Sequence, residues 1–178
     1  MSLSIEPLAE AHFDALRAVL DTVAREKRYL AFTQAPPREQ AFAFYGQILA
    51  RGDCLRVALW QGRVVGWCDV LPVHGEARAH VGTLGIGLLP AFRGRSIGEP
   101  LMRAAIAGAW ARGITRIELT VRTDNTRAKA LYERLGFQTE GLMRHAMRID
   151  GVGLDNWAMA LLRDQPASAT ASTSSLSP

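Results

Sequence analysis

The sequence predicts an α/β (α+β) fold: a central, mixed, mostly antiparallel twisted sheet of about seven strands, flanked by about four helices. Three observations predict it. Strand-like runs at 55–60 and 64–73 meet across Gln61-Gly62, a short hairpin turn, which makes them antiparallel neighbours. Asp150-Gly151 marks a second hairpin between runs at about 141–149 and 153–162. Between the hairpins, an amphipathic helical stretch separates a strand at 79–89 from one at 114–121, and a helical crossover makes that pair parallel. A chain of 178 residues needs only one domain, expected over 1–164, with 165–178 a Ser-, Ala- and Thr-rich tail expected to be disordered.

Residues 3–7 form a short strand that Pro7 can end. Ala11, Ala15, Ala18 and Val19, with Phe13, Leu16, Leu20 and Val23, give a helix over 10–25. The period is lost over 28–37, which closes on Pro36-Pro37, and a second helix follows at 38–50, ended by Arg51-Gly52. Tyr29, Phe32 and Tyr45 either line a substrate pocket between these helices or pack them together. The fourth strand holds Gly82, Gly85 and Gly87, which weaken a plain ladder and predict that something packs on, or hydrogen-bonds to, its backbone.

The stretch 84–106 organises the rest. Pro90 closes the strand, Gly94 and Gly98 leave loop amides uncovered, and a helix starting near Gly98 directs its free N–H groups at the same point, beside Arg93 and Arg95. A phosphate-bearing ligand fits there, although an ordinary loop with solvated arginines has the same residues. Gly94-Arg95-Ser96-Ile97-Gly98 also spells G-x-S-x-G, with Asp124 and His145 following in the order of a serine hydrolase. Against that reading, residues 90–93 separate the strand from the turn, and the chain has no HGGG-type segment.

In the fifth strand Ile117, Leu119 and Val121 share one face and Arg116, Glu118 and Thr120 the other. A parallel strand is usually covered on both faces, so Glu118 needs a partner: either a neighbouring arginine, or a substrate for which it is the general base. Residues 122–137 give a turn and then a helix stopped by Gly136, capped by Asp124 or Asn125, with Ala128, Leu131, Tyr132 and Leu135 as its apolar stripe.

The net charge of +4 comes from arginine almost alone, since Lys27 and Lys129 are the only lysines. Arginines spread from Arg17 to Arg163 suit an anionic ligand and give no basic stripe for nucleic acid. Cys54 and Cys68 lack metal-ligand spacing and read as reduced core thiols, so no metal is expected. With neither a signal-peptide pattern nor about 18 consecutive apolar residues, the expectation is a cytoplasmic protein without membrane contact.

Two motifs and the order of elements over residues 3–163 resemble the GNAT superfamily of N-acetyltransferases. The loop motif R/Q-x-x-G-x-G/A reads Arg93-Gly94-Arg95-Ser96-Ile97-Gly98, departing at Ser96, where that family usually has glycine. The second, N-x-x-A-x-x-L-Y-x-x-x-G-F, is complete in Asn125, Ala128, Leu131, Tyr132, Gly136 and Phe137. The resemblance implies acetyl-coenzyme A as co-substrate, in a cleft where strands four and five splay apart. Its pyrophosphate would lie on the amides of Gly94, Arg95, Ser96, Ile97 and Gly98, provided Ser96 keeps a negative φ, and its pantetheine would pair with the backbone of Ile86, Gly87 and Leu88. Asn125 would stand beside the cofactor, and Tyr132 would donate a proton to the departing thiolate.

Glu118 is the preferred base, directly or through water; His80, read as part of the fourth strand, is the other candidate and, with Tyr29 and Phe32, a substrate contact. The acceptor implied is the amine of a small molecule, first a free amino acid as in the L-amino-acid and phosphinothricin-type branch. A ribosomal-protein-like N-terminal acetyltransferase shares the motifs, as does a non-catalytic acyl-coenzyme A binding module. The family's habit of pairing through its last strands, together with alternating Trp157, Met159 and Leu161 read as an edge, predicts a homodimer.

Overall fold

The computed structural model describes residues 2–163; the predicted tail lies outside the described residues. The strands are β1 (Leu3–Pro7), β2 (Cys54–Trp60), β3 (Arg63–Pro72), β4 (Val81–Leu88), β5 (Arg116–Arg122), β6 (Gln138–Ile149) and β7 (Val152–Leu162). The helices are α1 (Phe13–Arg25), α2 (Arg38–Arg51), α3 (Gly98–Ala111) and α4 (Thr126–Arg134). One sheet runs in the order β1-β2-β3-β4-β5-β7-β6, antiparallel at every junction except β4 with β5.

The turn chemistry explains the hairpins. Gln61 and Gly62 have φ of 50° and 77°, and Asp150 and Gly151 have 48° and 83°, the paired positive values that a two-residue hairpin turn requires. Alternation along the strands then divides the core in two. On one face α1 and α2 bury Leu16, Val23 and Ile48 against Leu55, Val57 and Trp67. On the other, α3 buries Leu101, Met102 and Ala105 against Cys68, Ile117 and Met159. Each fully buried aliphatic side chain contributes about 1.5–3 kcal/mol, so the sheet is clamped from both sides.

The glycines of β4 are explained by their neighbours on β3. The indole of Trp67 comes within 2.3 Å of where a Gly87 side chain would begin, and the Asp69 carboxylate comes within 3.3 Å of the same point at Gly85. Any larger residue at Gly87 would expel the indole.

Three expectations are corrected. Residues Glu76–Arg78 form a 3-10 turn and β4 starts only at Val81, so His80 stands in the turn before the strand. β6 starts at Gln138, before the start at about 141 that the sequence predicts. β7 is not an edge: the chain leaves α4 on the outside as β6 and returns through the hairpin into the place beside β5. Trp157, Met159 and Leu161 alternate because they face the α3 core.

Candidate active site

β4 and β5 pair only from Val81 with Arg116 to Thr83 with Glu118, and then part. The ladder with β3 uses Leu89 and, by alternation, Gly87 and Gly85, so the backbone groups of Ile86 and Leu88 point into the fork. The result is a length of strand edge inside a sheet. Ile86, Gly87 and Leu88 form one wall of a cleft of about 530 Å³, with Thr120, Val121 and Arg122 of β5 and Ala128, Leu131 and Tyr132 of α4 on the other side. An extended ligand carrying amides can pair there as a further strand would.

Gly94, Ser96, Ile97 and Gly98 close one end of the cleft. Gly94 has φ of 78° and Ser96 of 58°, so the loop holds the left-handed conformation that glycine adopts freely, and the condition of a negative φ set for Ser96 is not met. A non-glycine residue in that region costs about 1–2 kcal/mol, a cost that the buried Ile97 and the start of α3 immediately after it hold in place. Arg127 reaches within 2.8 Å of the position a Gly94 side chain would occupy, and Arg28, Arg122 and Arg134 also line the cleft. Amides, a helix N-terminus and the Arg127 guanidinium make this end strongly attractive to phosphate.

Of the two loop arginines, Arg93 lines the cleft and Arg95 does not. Arg93 donates to Glu26 through both terminal nitrogens, at 2.8 and 2.5 Å, and to the Leu88 carbonyl at 3.0 Å, tying the end of α1 to the end of β4. The Arg95 guanidinium lies over the rings of Phe92 and Trp60, outside the cleft lining. Asn125 caps α4, its side-chain oxygen accepting the Ala128 N–H at 3.3 Å, and it lines the cleft. Tyr132 is buried, its ring against Phe137, and burial pushes its phenol well above the ordinary value, so it remains protonated at neutral pH.

The sequence profile of the acetyltransferase (GNAT) family matches residues 16–137, which include both the loop and the Asn125–Phe137 motif. The chain belongs to this family. The L-amino acid N-acetyltransferase AaaT of Escherichia coli is 34% identical over 110 residues, 60% of this chain and 67% of that protein. N-alpha-acetyltransferase RimI of Mycobacterium tuberculosis is 47% identical over 66 residues, 37% of this chain and 40% of that one, so the chain spans less than half the length of that relative. Among solved structures, a GNAT superfamily phosphinothricin acetyltransferase from Sinorhizobium meliloti in complex with acetyl-CoA superposes with a TM-score of 0.84 at 20% identity, covering 95% of each chain, which establishes the common fold.

Within this GNAT fold the remaining predicted residues scatter. Tyr29 lines the cleft, with the Arg93 guanidinium 4.7 Å from its ring centroid, whereas the exposed Phe32 does not. His80 stands in the turn just before β4, seven residues from Gly87 and so about 23 Å away at extended spacing. Glu118 stands at the crotch of the fork with both oxygens occupied, by Arg116 at 2.8 Å and Arg78 at 2.9 Å, the arginine pairing that the sequence offered as the alternative to a base. The hydrolase arrangement is not assembled: Asp124 pairs with Arg122, and His145 lines a separate depression with Asp155, away from Ser96.

Two residues that the sequence did not single out stand on the α1 and α2 face near the fork. Asp69 accepts the Trp67 indole N–H at 3.1 Å, and burial pushes its carboxyl up to about 7 against the lowering effect of that bond and of the Gly85 N–H. Asn156, 5% exposed, donates to Thr120 Oγ1 at 3.5 Å. A lone carboxylate in the apolar run GWCDVLP was the available signal for Asp69.

Proposed function

We propose that this chain transfers the acetyl group of acetyl-coenzyme A to the primary amine of a small molecule, with a free amino acid the first candidate. The edge of β4 inside the fork, which no strand covers beyond Thr83, leading to a loop of open amides beside Arg127, is the observation that carries the reading. Pantetheine would extend along Ile86, Gly87 and Leu88, and the pyrophosphate would meet the amides from Gly94 to Gly98, Ser96 standing in the left-handed conformation a glycine there would take, with Arg127 beside them. A neutral amine attacks the thioester carbon, the tetrahedral oxyanion collapses, and the thiolate takes the Tyr132 proton. Alignment of the two reactants supplies most of the acceleration, and proton transfer adds about 10²–10⁴-fold.

The similarity to AaaT spans more of this chain than that to RimI, which favours a free amino acid over a protein N-terminus. Arg28 lines the cleft, and no ion pair engages it among the described residues, so it can receive a carboxylate. Competition tests the choice: with equal concentrations of free L-amino acids and of a peptide with a free N-terminal alanine, mass spectrometry should find the acetyl group on the amino acids. Acetylation of the peptide alone would overturn it in favour of the N-terminal enzyme.

A homodimer is also proposed, now through the true edge β6, where Leu142 and Met143 are exposed. A monomer at micromolar concentration by light scattering would contradict it.

A further inference from the structure

The sheet face beneath α1 and α2 carries polar groups beside the Thr120 that lines the cleft. Asp69 stands opposite Gly85, and continuing the parallel register of Thr83 with Glu118 by two places brings Gly85 level with Thr120. All three positions therefore share one face, with the fork between Gly85 and Thr120. Neighbouring strands lie about 4.8 Å apart, so Asp69 is one strand from the opening. The absent side chain at Gly85 is what leaves room for its oxygens, 3.3 and 3.4 Å from where that side chain would start.

The row contains acceptors with room for a further donor, the Asp69 carboxylate and Asn156 Oδ1. Asp69 keeps part of its surface and, among the described residues, no cation pairs with it. Across the fork Thr120 is exposed, and Asn156 gives it an N–H while its own Oδ1 is buried without a partner. Tyr45, from α2, senses the charge of Asp69 and also has a buried hydroxyl without a partner. Buried polar atoms are normally satisfied, and a cluster left open beside a fork matches a ligand that brings several N–H groups and a positive charge.

We propose that this row is the subsite for the acceptor's ammonium group and that Asp69 takes the proton the ammonium must lose before it attacks. The inference rests on the acetyl-transfer reading above. The ammonium N–H bond breaks and an O–H bond forms on Asp69, leaving a neutral amine and a neutral carboxyl. The amine nitrogen then bonds to the thioester carbon and the C–S bond breaks. The thiolate takes the Tyr132 phenolic proton, the phenolate recovers the second amine proton, and Asp69 returns the first to solvent. Glu118 does not compete, because Arg78 and Arg116 hold both its oxygens.

The titratable groups around Asp69 leave it as the one that changes near neutral pH. Burial pushes Tyr45 of α2 up to about 12, with Arg17 of α1 opposing the rise, and burial raises the thiols of Cys54 on β2 and Cys68 on β3 as well. At the crotch of the fork Glu118 is matched by Arg78 and Arg116.

The test compares Asp69→Asn with wild type using acetyl-coenzyme A and two acceptors, an alkylammonium and methoxyamine, which is already neutral at pH 7. The expected result is a loss of at least about 100-fold in kcat/KM with the alkylammonium, and a loss of under about 5-fold with methoxyamine, which leaves little for a base to do. Equal losses with both, or no loss with either, would overturn the proposal. If wild type acetylates neither, the transfer reading falls, and Asp69 is judged by the carboxyl-carbon NMR shift when methylammonium is titrated into the coenzyme A complex. Movement of that signal, absent in Asp69→Asn, supports the subsite, and a static signal overturns it.

Discussion

Tyr132→Phe should lower kcat by about 10²–10³-fold while leaving the Kd for acetyl-coenzyme A within about 2-fold. The phenol is held in its protonated form by burial, and its ring rests on Phe137 at a centroid distance of 6.0 Å, so phenylalanine keeps the packing and loses only the proton donor. Among the described residues no side-chain hydrogen bond engages the hydroxyl, so the fold should be little affected, by under about 1 kcal/mol. Steady-state kinetics at saturating cofactor, with calorimetric titration of acetyl-coenzyme A, separates the two effects. A variant that turns over like wild type would remove Tyr132 from the chemistry.

The second large effect concerns stability. Burial holds the Asp69 carboxyl at about 7 in the folded chain, against an ordinary value of 3.8. Between those values the folded state keeps a proton that the unfolded state has released, so stability falls as pH rises through that window, and the loss is complete above about pH 7. A shift of about three units corresponds to a ceiling of roughly 4 kcal/mol, and partial exposure of the group reduces it to about 2–3 kcal/mol. Asp69→Asn keeps an oxygen for the Trp67 indole and never ionises. It should therefore gain about 2–3 kcal/mol over wild type at pH 8 and differ little at pH 4. Urea unfolding at the two pH values reads this directly, and a difference independent of pH would contradict it. A group that costs stability in this way is characteristic of a site kept for function.

How much of this was legible in the sequence depends on the range of the interaction. The hairpins at Gln61-Gly62 and Asp150-Gly151, the stop at Gly52 and the Asn125 cap are local, and the sequence carries them. The parallel pairing of β4 with β5 followed from the intervening helix. The position of β7 between β5 and β6 did not, because alternation at Trp157, Met159 and Leu161 shows that one face is buried and is silent on which strands lie to either side. At the site, residues carried by the motifs, Tyr132, Asn125 and Gly94 among them, do converge on the cleft. Glu118 and His80 were chosen by strand and face without the register that places one at the crotch between two arginines and the other at the far end of β4. Arg127 and Asp69 were overlooked for the same reason: each acts across elements distant in sequence, on Gly94 and on Gly85.

The most direct test of acetyl transfer is the stoichiometry of its products. With acetyl-coenzyme A and a free amino acid, free thiol and N-acetylated amino acid should appear together in a ratio of one to one. Thiol released without an acetylated amine, or neither product despite bound cofactor, would contradict the account.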